Sequence, residues 1–158
     1  FVLQKSFYFD NNEKSRRKKG ELFMKECIFC KIAGGEISAA TIYEDEEFRV
    51  ILDLGPASKG HALIIPKAHY ANLYEMPDDL AGKAMILAKK IITKMTEVLQ
   101  CDGYNIVQNN GEAAGQTVFH FHMHLIPRRK EDNVGVTWTP GKLKEEDKQE
   151  ILEKFSLC

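Results

Sequence analysis

From Val118 to Ile126 the chain alternates Phe119, Phe121, Met123 and Leu125 with His120, His122 and His124. A period of two is that of a β-strand, whose successive side chains point to opposite faces. One face of this segment is therefore apolar and the other carries three imidazoles in a row. The apolar face demands a core to pack against. The histidine face is not a solvent face of the usual kind, which would be filled with Thr, Lys or Glu. The segment predicts a strand from Val118 to Ile126, ended by Pro127, in a sheet covered on one side and chemically equipped on the other.

The cover is a helix. Pro77 suits a first helical turn, and Leu80, Ala84, Leu87, Ile91, Met95 and Val98 recur at three- and four-residue steps up to Gln100, with Lys83, Lys89, Lys90 and Lys94 on the solvated side. Thr41–Glu44 and Phe48–Asp53 read as a hairpin, His61–Pro66 as a third strand and Tyr104–Gln108 as a fourth, with the histidine segment as the fifth. A short helix after Cys27 is stopped by Gly34-Gly35, and a charged helix is expected from Lys144 to Phe155. Strands gathered around one long helix, without regular β-α-β alternation, predict an α+β fold with a mainly antiparallel sheet.

With 158 residues, the chain buries one ordinary core, so one domain is expected over 24–141, with 142–158 as a helical tail. A net charge of -1 provides no field for a phosphate backbone, which argues against a nucleic-acid partner and for a small molecule. No apolar run reaches the roughly 20 residues that cross a bilayer. The four cysteines form no disulfide framework, and a reducing, cytoplasmic setting is expected. Residues 1–23 carry a charged stretch, Asp10 to Gly20, that cannot join a core, and are expected to be a disordered leader or an extension preceding a start at Met24.

The histidine row admits two chemistries. Alternate histidines on a strand can ligate zinc and activate water. A partly neutral imidazole can also attack phosphorus and form a covalent intermediate. Asn109, Gly111, Gly115, Gln116 and Thr117 favour the second, because a glycine-containing polar loop just before the strand offers donors to phosphate oxygens. Cys27-x-x-Cys30 has the spacing of half a zinc site, and no thioredoxin-like β-α-β context accompanies it. Two more ligands are needed from His61, His69, His120 and His124.

Gly60-His-Ala-Leu-Ile-Ile-Pro-Lys-Ala-His69, followed by Gly115-Gln-Thr-Val-Phe-His-Phe-His-Met-His-Leu-Ile-Pro127, resembles the histidine triad (HIT) superfamily. The resemblance implies a five-stranded sheet forming half of a homodimer, and nucleotide hydrolase or transferase activity on a purine nucleotide. It makes His122 the nucleophile on the α-phosphate. His124 and Asn109 become phosphate contacts, with Gly115 in the same loop, and Gln116 and Thr117 stabilise the transition state or leaving group. Asp53 becomes the ribose acceptor, His61 a support for the nucleophile, and Ile28, Phe29, Ile32 and Leu54 the wall around the base. It also implies a structural Zn2+ on Cys27, Cys30, His69 and His120. Gln116-Thr117 resembles dinucleoside polyphosphate hydrolases, whereas the Cys27 region and Asp53-Leu-Gly-Pro56 resemble phosphoramidases. The competing readings are a nucleotide-binding interaction protein with vestigial turnover, and a zinc-dependent hydrolase using the triad as ligands.

Overall fold

A computed structural model describes residues 26–156. The expected leader, residues 1–23, lies outside them. Five strands, β1 (Thr41–Glu44), β2 (Phe48–Leu52), β3 (Ala62–Pro66), β4 (Gly103–Val107) and β5 (Met123–Arg128), form one sheet in the order β1-β2-β3-β5-β4, every neighbouring pair antiparallel. Among the described residues three α-helices accompany it: α1 (Ile28–Ala33), α2 (Asp78–Leu99) and α3 (Glu145–Phe155). The α+β, five-stranded antiparallel architecture is the one expected.

The strand β3 is the spine. All five of its residues are buried, because both faces of the sheet are covered there. Ala62 and Ile64 join Phe48, Val50, Phe121, Met123 and Leu125 under Leu80, Ala84, Leu87, Ala88 and Ile91 of α2. Leu63 and Ile65 point the other way, with Ile51, onto Phe29 and Ile32 of α1. His124 pairs with Leu63 across the ladder and so lies on the α1 side. On α2, the expected apolar stripe holds through Ile91, but Val98 in the last turn is exposed. Pro77 caps the helix in an extended conformation rather than opening its first turn.

The fifth strand differs from expectation at both ends. It begins at Met123, not Val118, because Phe121 N–H donates to the Tyr70 carbonyl (2.6 Å) and the Pro66 carbonyl is taken by the His120 ring (2.9 Å). Both groups are lost to the β3 ladder. The alternation outlives the ladder all the same, with Phe121 under α2 and His120 and His122 beside α1. At the other end the strand runs through Pro127 to Arg128. Pro127 turns its backbone away from β4, where its carbonyl accepts from Ser58 Oγ (2.6 Å), so its missing N–H costs no bond to β4. Helix α3 buries none of its described residues.

Candidate metal centre and active site

Cys27 stands at the N-cap of α1 with extended backbone, and Cys30 follows in the first turn. His69 comes from the loop after β3 and His120 from the segment before β5. One potential ligand atom from each lies within 4.8 Å of all the others. Cys27 Sγ is 3.5 Å and Cys30 Sγ 3.4 Å from His120 Nδ1; His69 Nδ1 is 3.2 Å from both Cys30 Sγ and His120 Nδ1. Tetrahedral zinc, with bonds of about 2.0–2.3 Å, sets its ligands about 3.3–3.8 Å apart. These four distances lie close to that range, so the four side chains could hold a zinc ion. The outer contacts fit as well: His120 Nε2–H donates to the Pro66 carbonyl, which leaves Nδ1 bare towards the cluster. Burial lowers His120 to about 4, and burial together with the Cys27 neighbour raises the Cys30 thiol to about 12. A dication at the centre would reverse the preference of the thiols and suits the neutral imidazoles already present.

The other two triad histidines belong to a different constellation. His122 Nδ1–H donates to the carbonyl of His120 (2.7 Å), an arrangement that leaves the lone pair on Nε2. Its ring is buried, and burial lowers its pKa, so it is neutral at physiological pH. Next to it, His124 stands with ring centroids 5.0 Å apart. A relay sets the tautomer of His124: Ala57 N–H donates to His61 Nδ1 (3.1 Å), and His61 Nε2–H to His124 Nδ1 (2.9 Å). The proton of His124 is therefore on Nε2, as a donor. Asp53 Oδ2 lies 3.7 Å from His61 Nδ1 while Oδ1 accepts from Gly55 N–H (2.8 Å). One residue supplies a lone pair and the next a proton, both held neutral by burial.

The polar loop is organised by Gln116, whose side chain is buried. Its carbonyl accepts from Gly111 N–H (2.8 Å), and its amide donates to the carbonyls of Ala71 (2.6 Å) and Val118 (3.0 Å). The amide is thus engaged within the protein. Gly111 and Gly115 have φ of 87° and 83°, the left-handed region that glycine tolerates. Thr117 is exposed, and Asn109 Nδ2 makes only a 3.5 Å contact to the Gly115 carbonyl. Both retain capacity for a ligand.

The four expected wall residues divide. Phe29 and Ile32 are packed in the core beneath α1, whereas Ile28 is half exposed and Leu54 is 96% exposed. A hollow of about 280 Å³ adjoins Ile28, lined also by Glu26, Cys27, Thr117, Val118 and Phe119. Sequence reasoning missed the carbonyls of His120 and Pro66, which orient two imidazoles. Backbone acceptors leave no side-chain signal to read.

Together these features define an α+β protein whose site sets a neutral imidazole row beside a two-cysteine, two-histidine cluster. Residues 34–131 match the HIT domain, and the chain belongs to the HIT family. Protein hit of Bacillus subtilis is 45% identical over 84% of this chain and 93% of its own. An adenosine 5'-monophosphoramidase of Saccharomyces cerevisiae is 41% identical over 84% of this chain and 81% of its own. The crystal structure of a Zn-bound histidine triad family protein from Mycobacterium smegmatis superposes with a TM-score of 0.68, at 37% identity over 85% of this chain and 98% of that one. Cys27 and Cys30 precede the matched HIT span, so half of the cysteine–histidine cluster lies outside it.

Proposed function

We propose that the protein is a nucleotide hydrolase or transferase in which His122 Nε2 attacks the α-phosphate of a purine nucleotide, with a nucleoside phosphoramidate or dinucleoside polyphosphate as substrate. The observation that carries this reading is the bond from His122 Nδ1–H to its own chain at His120, which aims a bare, neutral Nε2 away from the backbone. A lone pair at a defined place is what in-line displacement requires. As the bond between phosphorus and nitrogen forms, the bond to the leaving group breaks, and the leaving group departs with the electron pair and takes a proton from water. Water then cleaves the nucleotidyl-histidine and restores the imidazole.

His124 Nε2–H and Asn109 serve the phosphate oxygens, with Gly115 letting the loop approach. Thr117 serves the leaving group, and Gln116 holds the loop in shape. Asp53 accepts from the ribose, and the Gly55 N–H on its Oδ1 holds it beside the relay. Ile28 and Leu54 are the wall residues with surface to offer a base, backed by Phe29 and Ile32. The names of curated relatives support this substrate class, one being an adenosine 5'-monophosphoramidase and another an adenylylsulfatase of Arabidopsis thaliana.

Zinc on Cys27, Cys30, His69 and His120 is a structural ion in this reading, since four protein ligands leave no position for substrate. It ties α1 to the histidine segment. The same division disfavours a hydrolase with the whole triad on zinc, because among the described residues only His120 of the three joins that cluster. The working form is a cytoplasmic homodimer of the 24–141 domain, for which size-exclusion chromatography with light scattering should give twice the chain mass.

His122→Ala is expected to lower turnover of an adenosine phosphoramidate or a diadenosine polyphosphate by roughly a thousandfold or more, as removal of a nucleophile does elsewhere. Acid-labile nucleotidylated enzyme should be trappable from the native protein and absent from the variant. Full turnover in His122→Ala would remove the nucleophile assignment.

A further inference from the structure

Phe29 carries more than a place in the core. Its ring meets His122 with centroids 5.0 Å apart and an interplanar angle of 67°, and meets His120 at 6.0 Å and 90°. Only 9% of its surface is exposed, so it has little face to offer a nucleotide base. The hydrogen bond from His122 Nδ1 fixes the tautomer of the nucleophile and anchors one edge of its ring, and contacts with neighbouring rings hold the rest. Two rings pack against it edge-on, Phe29 and His124, each with centroids 5.0 Å away.

Phe29 is itself held by a helix that does not stand alone. Helix α1 spans six residues and has no side-chain bond at its N-cap. A helix this short is unstable in isolation and depends on what it packs against. Cys27 and Cys30 bracket Phe29 in sequence, and both face His120. A metal joining these ligands would clamp the helix on either side of the ring.

We propose that Phe29 is a positioning residue for His122, and that the Cys27, Cys30, His69 and His120 centre acts on the reaction through it, by holding the ring against the nucleophile. This rests on His122 being the nucleophile, and it differs from the base-wall role in what it predicts. A wall residue contributes to binding. A positioning residue contributes to the rate of the bound complex.

The test uses zinc-loaded protein and two variants, Phe29→Leu, which keeps apolar volume without the ring, and Phe29→Tyr, which keeps the ring. Phe29→Leu is expected to lower kcat about tenfold or more with KM within about twofold, since small misplacements of a reacting group cost that order. Phe29→Tyr should restore most of the rate. Nitrogen-15 NMR of the histidine rings supplies the readout independent of turnover. The His122 signal of the Nδ1-protonated form should broaden or move in Phe29→Leu at full zinc content, and in the native protein after chelation. A rise in KM with unchanged kcat would return Phe29 to the base wall. Unaltered His122 signals in Phe29→Leu would overturn the positioning role. If the native protein turns over no nucleotide, the function proposed above fails, and the NMR comparison still decides for or against the contact.

Discussion

His124 shows at the residue scale what burial does to an ionisable group. It sits half-buried between His122 and His61, and burial, followed by those two neighbours, lowers its pKa from the ordinary 6.5 to about 4. The unfolded chain therefore takes up this proton first. Stability contributed by neutral His124 is complete above about pH 6.5 and is lost as pH falls towards 4. The urea midpoint should accordingly drop between pH 6.5 and 4.5, and more shallowly in His124→Asn than in the native protein. Parallel profiles for the two proteins would show that His124 contributes no such linkage. The residue types were legible beforehand, since three alternating histidines announce a site. Their separate duties came with the family resemblance, but the groups that orient two of the rings were not legible, because they are distant in sequence: Pro66 for His120, and His61 for His124.

At the scale of elements, the connection from β2 to β3 shows how backbone geometry delivers a side chain. Gly60 has φ of 91°, and a Cβ there would run into the Leu99 side chain at the end of α2. Only glycine passes the chain beneath the helix and sets His61 into the relay. Gly60→Ala should cost roughly 1–3 kcal/mol from left-handed strain and overpacking. Chemical denaturation would measure that cost, and a change below about 0.5 kcal/mol would mean that Leu99 yields freely. Strands β1 to β4 and the long helix were placed by periodicity to within a residue or two. The fifth strand was misplaced, because the alternation that predicts a strand continues through residues whose hydrogen bonds go to a ring and to Tyr70. Side-chain period records which face is buried, and it does not record which partner the backbone takes.

For the molecule as a whole, the cluster at Cys27, Cys30, His69 and His120 joins α1, the loop after β3 and the approach to β5. About one zinc per chain is expected by elemental analysis of protein purified without chelator. Its removal should lower the melting temperature by several degrees and recover on adding zinc back, because an ion that binds only the folded state stabilises it. Equal melting temperatures for loaded and stripped protein would leave the four side chains as packing alone. By itself the sequence determined the antiparallel α+β class, the two-faced character of the histidine segment and the residue types at the site, since these follow from local period and composition. The tertiary structure alone decided that the Gln116 amide is bonded to the Ala71 carbonyl, that Phe29 turns its ring to His122, and that the Pro66 carbonyl and His61 orient the rings of His120 and His124. The physical reason is the same in each case. What a polar or aromatic side chain does is settled by the group it meets, and that group is brought to it by segments far away along the chain.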